Sequence, residues 1–98
     1  MIRIQLPFHL RTLAHVEGEI MVDLDNSHTL GSALDALEAK YPVLCGTIRD
    51  QSTQQRRPFL RFYVCKQDWS QTSLETLLPE AVLSGQEPLL IIGAIAGG

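Results

Sequence analysis

The sequence predicts an α+β fold, a mixed sheet of four to five strands packed on one main helix. Three observations predict it. Apolar and polar residues alternate in two early runs, at 2–10 and 16–24. One strong helical stripe lies between Leu30 and Tyr41. Near the end, Leu89-Leu90-Ile91-Ile92 is a short continuous apolar run, as in a strand at the centre of a sheet.

The chain has 98 residues, enough for a single domain over 1–98 with one modest core. Its 45% hydrophobic and 19% charged content reads as globular. A net charge of −3 argues against nucleic acid as the main partner, because phosphate binding needs a basic excess. No stretch approaches a membrane span, and the N-terminus lacks the apolar core of a signal peptide. Cys45 and Cys65 lie far apart with no Cys-x-x-Cys spacing, which points to a reduced, cytoplasmic protein.

The elements follow in order. In residues 2–10, Ile2, Ile4 and Leu6 share one face opposite Arg3 and Gln5, a half-buried strand with Pro7 at an edge or bulge. In residues 16–24, Val16, Ile20, Val22 and Leu24 oppose Glu17, Glu19 and Asp23. The short link Arg11–His15 predicts an antiparallel hairpin between these runs. Asp25–His28 is a turn, after which Thr29 caps the helix. Leu30, Ala33, Leu34, Leu37 and Tyr41 form its stripe, and Pro42 ends it. Leu44 and Ile48 predict one more short helical turn. Residues 50–58 are polar and read as a mobile loop. Phe59–Cys65 reads as a strand, and 66–87 as irregular with a turn at Gly85. Pro88 precedes the last strand. If the first and last strands pair at the centre, they run parallel with the helix across them, which is a β-grasp layout.

After Ile92 the residues are small: Gly93, Ala94, Ile95, Ala96, Gly97 and Gly98. Residues 93–98 are expected to form a flexible tail, reaching about 20 Å if extended. Side-chain-free glycines enter slots that exclude larger residues. A free α-carboxylate on Gly98, with a pKa of about 3.3–3.7, is ionised and a poor electrophile. It needs activation, and the chain has no phosphate-binding loop to supply it.

Three segments of the sequence resemble the MoaD/ThiS family of ubiquitin-like β-grasp sulfur carriers. They are Leu10-Arg11-Thr12-Leu13-Ala14, then Thr29–Leu37 with Tyr41-Pro42, and Ile91–Gly98 with its Ala-Gly-Gly ending. The family includes the molybdopterin synthase small subunit and the thiamine-biosynthesis sulfur carrier. The resemblance implies that a partner enzyme adenylates Gly98 with ATP. A persulfide sulfur then displaces AMP and leaves a thiocarboxylate, which feeds a sulfur-accepting biosynthetic enzyme. Gly93, Ala94, Ile95, Ala96 and Gly97 would thread into the partner. On this reading the chain is a carrier, or the small subunit of a synthase, with no catalytic residue, bound cofactor or metal of its own. Where the family's strand often runs into an Asn-Gly turn, this chain has Cys65-Lys66-Gln67-Asp68.

Four of the eight basic residues, Arg49, Arg56, Arg57 and Arg61, cluster in sequence. Arg56, Arg57 and Arg61, with Phe62, are candidate docking residues for a partner; the alternative is a solvated loop. The segment 59–65 is apolar at nearly every position, which fits either a contact patch or a second small core. Cys45 and Cys65 read as buried, inert thiols. His9, His15 and His28 lack metal-ligand spacing and read as surface or turn residues. Two other functions fit the same sequence. One is a protein modifier joined through Gly98 to lysines, although Lys40 and Lys66 are the chain's own only lysines. The other is a plain interaction domain.

Overall fold

A computed structural model describes residues 1–93, so Ala94, Ile95, Ala96, Gly97 and Gly98 lie outside the described residues. Strands β1 (Ile2–Gln5), β2 (Ile20–Val22), β3 (Leu60–Val64), β4 (Gln67–Asp68) and β5 (Leu89–Gly93) form one mixed sheet in the order β2-β1-β5-β3-β4. The helices are α1 (Phe8–Ala14), α2 (Leu30–Lys40) and the short α3 (Glu80–Leu83), with a 3₁₀ turn at Pro42–Leu44.

As the apolar run predicts, β5 is central. It pairs parallel with β1 and antiparallel with β3. The register places Ile4 opposite Leu89, and Phe62 opposite Ile91, so these side chains share the inner face. That face is covered by α2, whose Leu30, Ala33, Leu34 and Leu37 are fully buried. Each such leucine stabilises the fold by about 1.5–3 kcal/mol.

Helix α2 starts where the sequence places it. Thr29 Oγ1 accepts from the Ser32 N–H at 3.1 Å, and Ser32 Oγ accepts from the Thr29 N–H at 2.8 Å. The next donors are met from the distant segment 74–77: Leu30 N–H donates to the Thr76 carbonyl and Gly31 N–H to that of Leu74. Three first-turn donors are thereby satisfied. The segment 66–87 is thus not merely irregular. It also carries β4, α3 and the buried Leu78 and Val82.

The first run departs from expectation. The strand stops at Gln5, and 8–14 is helix, so β1 and β2 pair antiparallel but are not joined by a tight hairpin. Pro7 explains the break. It lacks the N–H a ladder needs, and at φ −66° and ψ 159° it caps α1 instead. Leu10 and Ala14, one helical turn apart, are the buried pair. The second strand is also shorter than 16–24.

The polar loop at 50–58 is closed by hydrogen bonds. Asp50 Oδ1 accepts from the Ser52 and Thr53 N–H groups, and Asp50 and Gln55 pair through their backbones at 2.7 Å. The turn joining β3 to β4 places Cys65 at φ 48° and Lys66 at φ 68°. Both are left-handed values that Asn-Gly adopts at lower cost.

Candidate functional site

The rim of the sheet where β5 ends is the candidate site. Gly93 is the last residue of β5, opposite Leu60, so it belongs to the strand rather than to a tail. The β1–β5 ladder stops at Gln5 opposite Leu90. Beyond it, β1 turns into α1 while β5 continues, so that among the described residues Ile91–Gly93 have no strand partner on that side. The gap is an open groove of about 430 Å³, walled by Pro7, Phe8 and His9 on one side and Leu90, Ile92 and Gly93 on the other. A Cβ placed on Gly93 would meet Pro7 and His9 at 3.5 Å, so the start of α1 abuts the strand end. Phe8 is 73% exposed and Ile92 42%.

The predicted docking residues do not gather here. Phe62 is 2% exposed and packs in the core, so it has no surface to offer a partner. β3 is a plain alternation: Leu60, Phe62 and Val64 point inward and Arg61 outward. Arg56 is half-buried and structural. Its Nε donates to the Ser70 carbonyl at 3.0 Å, and its Nη1 to the Arg57 and Leu60 carbonyls at 3.1 and 2.6 Å. Arg57 and Arg61 are exposed. Arg57 Nε donates to the Gly46 carbonyl at 2.8 Å, and Arg61 Nη1 to Asp68 at 3.1 Å. Arg49 is buried, with its fork on Glu38 and Asp35 of α2. Burial alone would lower its pKa, but the hydrogen bonds and charges of Glu38 and Asp35 outweigh that, and the net shift is upward.

Cys45 and Cys65 are half-buried rather than buried. His9, His15 and His28 are exposed, and His15 occupies the left-handed position that ends α1. Among the described residues no group of His, Cys, Asp or Glu is arranged to hold a metal. No described helix is long and apolar enough to cross a membrane. Three carboxyls, on exposed Glu19 and Asp68 and half-buried Asp50, have lowered pKa values. For Glu19 the cause is first the Arg3 hydrogen bond and then that of Gln5; for Asp50, the Thr53 and Ser52 N–H groups; for Asp68, hydrogen bonds from Ser70.

Helix α1 and the groove beside it are not expected from the alternation in residues 2–10. The signal for the helix was present: a proline followed by apolar residues at 10 and 14.

No family model and no curated protein matches the sequence. Solved structures do match. SAMP1 from Haloferax volcanii superposes with a TM-score of 0.74 at 21% identity, covering 98% of this chain and 97% of that one. The Amycolatopsis orientalis BexX/CysO complex contains a chain with a TM-score of 0.76 at 20% identity, covering 100% of both. CysO from Mycobacterium tuberculosis, an antigen, gives 0.76 at 22%, covering 97% of this chain and 100% of that one. The fold is therefore the ubiquitin-like β-grasp.

Proposed function

We propose that the chain is a ubiquitin-like carrier of the MoaD/ThiS kind, whose reactive group is the α-carboxylate of Gly98. The observation that carries this reading is the position of β5. The central strand of a β-grasp sheet reaches the rim at Gly93, and the sequence that follows is Ala94-Ile95-Ala96-Gly97-Gly98. The fold neighbours support a carrier or modifier in general and do not choose between the two roles.

On this reading a partner enzyme joins the carboxylate oxygen to the α-phosphorus of ATP, and pyrophosphate leaves. A sulfide-level sulfur then attacks the carbonyl carbon, a C–S bond forms and AMP leaves, giving the thiocarboxylate; where the sulfur arrives as a persulfide the product is an acyl disulfide, whose S–S bond a thiol reductant then cleaves. The chain is substrate and not catalyst. The folded body supplies affinity that a short tail cannot, because ordering each tail residue costs about 1–2 kcal/mol.

A second reading is a protein modifier, to which the likeness to a small archaeal modifier protein gives the same kind of support. One experiment separates them. The protein is incubated with an extract of its source organism, ATP and a sulfur donor, and its intact mass is recorded. A carrier exchanges one oxygen for sulfur; a modifier appears in linked species of higher mass. No change in mass, with the extract shown to load its own carriers, rejects both.

A further inference from the structure

Arg56 is a half-buried cation that no described carboxylate balances. Arg3 lies against Glu19, Arg49 against Glu38 and Asp35, Arg57 against Asp50, and Arg61 against Asp68. The three hydrogen bonds of Arg56 go instead to neutral carbonyls, those of Ser70, Arg57 and Leu60. The acids on the neighbouring segments are already engaged: Asp50 faces Arg57, and Asp68 faces Arg61 and the Ser70 N–H. Carbonyl dipoles hold the guanidinium in place but bring no counter-charge, and a half-buried charge without one is costly.

Those carbonyls occupy Nε and Nη1 only. Nη2 donates to no described residue, and it is not a buried atom, so its two N–H groups reach solvent. The open space beside Arg56 is a cleft of about 350 Å³ between the loop at 54–56 and the residues that follow β4. Gln55, Gln71 and Thr72 wall it, and no aspartate or glutamate borders it. The side chains of these three make no hydrogen bond to any described residue. The cleft thus presents one fixed positive charge and a rim of amides and a hydroxyl, groups that both donate and accept.

This chemistry selects a small anion with a polar body. A guanidinium already held by its neighbours loses little freedom when an acceptor arrives, so a charge-assisted hydrogen bond forms there at low entropic cost. A single positive charge matches a monoanion, whereas a phosphate dianion leaves one charge uncompensated. We propose that the cleft binds a hydroxycarboxylate, with its carboxylate on Arg56 Nη2 and its hydroxyls on Gln55, Gln71 and Thr72. The site lies apart from the groove at Gly93 and does not depend on the carrier reading.

The test is a titration of the full chain followed by NMR, with sodium gluconate as the probe. Sodium acetate, inorganic phosphate and sodium chloride are compared at matched ionic strength. Gluconate should shift the Arg56 Nε–H resonance and the Ser70, Gln71 and Thr72 amides saturably, and leave the Nε–H signals of Arg57 and Arg61 unmoved. Acetate, which lacks the hydroxyls, should need about tenfold higher concentration. Arg56→Gln would also remove hydrogen bonds that tie the loop down, so the variant is placed at the rim. Gln55→Ala combined with Gln71→Ala should keep the wild-type melting temperature and bind gluconate about fivefold more weakly.

The proposal is overturned by the absence of a saturable shift, by the same shift in sodium chloride, or by equal movement of Arg57 and Arg61. Half-saturation by phosphate at a lower concentration than gluconate overturns it too, as does unchanged affinity in the folded double variant. So does an Arg56 signal that moves, without gluconate, when residues 94–98 are removed, which would give the cleft to the chain's own terminal carboxylate.

Discussion

Along β5, Leu89 and Ile91 point inward and are 0% and 2% exposed, whereas Ile92 points outward and is 42% exposed. The contrast extends across the sheet. Ile2, Ile4, Leu60, Phe62 and Val64 are sealed beneath the helical layer. The outward positions Arg3, Gln5, Met21, Arg61 and Tyr63 mix charge with apolar surface. The same strands build both faces, so strand propensity does not explain the difference. What differs is the covering: α2 closes one side, and no described element closes the other. Substitutions on the inner face should therefore affect folding, and those on the outer face should leave it nearly intact.

A matched pair of charges separates the two faces most sharply. Leu34→Asp should abolish the cooperative unfolding transition, a loss exceeding about 4 kcal/mol, because it buries an unpaired carboxyl. Ile92→Asp should change stability by less than about 1 kcal/mol in the same denaturant titration. Comparable losses at the two sites would show that the outer face is also core.

Next in size is Gly31→Ala, which probes how tightly the covering is seated. A Cβ there would lie 2.9 Å from the Leu74 carbonyl oxygen, the same oxygen that accepts the Gly31 N–H at 2.8 Å. Backbone on both sides leaves little room to relax, so a loss of about 1–3 kcal/mol is expected in the urea midpoint.

At the far edge of the sheet, Lys66→Gly should stabilise by about 0.5–1 kcal/mol, since glycine adopts the left-handed turn position without steric cost. Unchanged or lowered stability would mean that the lysine side chain contributes at that edge.

The smallest effect is on the acid limb. Arg3 and Gln5 lower the Glu19 pKa on the outer face. A carboxyl depressed by folding stabilises the fold above its unfolded pKa, about 4, and that contribution fades as pH falls through the lower folded value. Glu19→Gln should lower the melting temperature slightly at neutral pH and leave it nearly unchanged in acid, which flattens the fall between the two.

Much of this fold was legible in the sequence because several signals agreed. Thr29, the stripe from Leu30 to Leu37 and Pro42 all specify the same helix, and the apolar run at 89–92 specifies a central strand. Residues 8–14 were misread because Phe8 and Leu10 also satisfy a period of two, and only Pro7 breaks the tie. Arg49, Arg56 and Phe62 looked like surface residues because sequence spacing does not reveal what lies across a sheet or a loop. Glu38 and Asp35, off the helical stripe, turn out to hold Arg49, and carbonyls of three separate residues hold Arg56. Such tertiary clasps have no local pattern. The stacking of Arg11 on Phe8 was equally hidden, since it exists only once α1 is helical.

The carrier reading is tested most directly by locating the sulfur. After loading, the protein is cleaved and the peptide ending Ile95-Ala96-Gly97-Gly98 is weighed. One oxygen-for-sulfur exchange is expected on that peptide, lost when a residue is appended after Gly98. Sulfur found instead on the peptides bearing Cys45 or Cys65, with the terminal peptide unchanged, would contradict it.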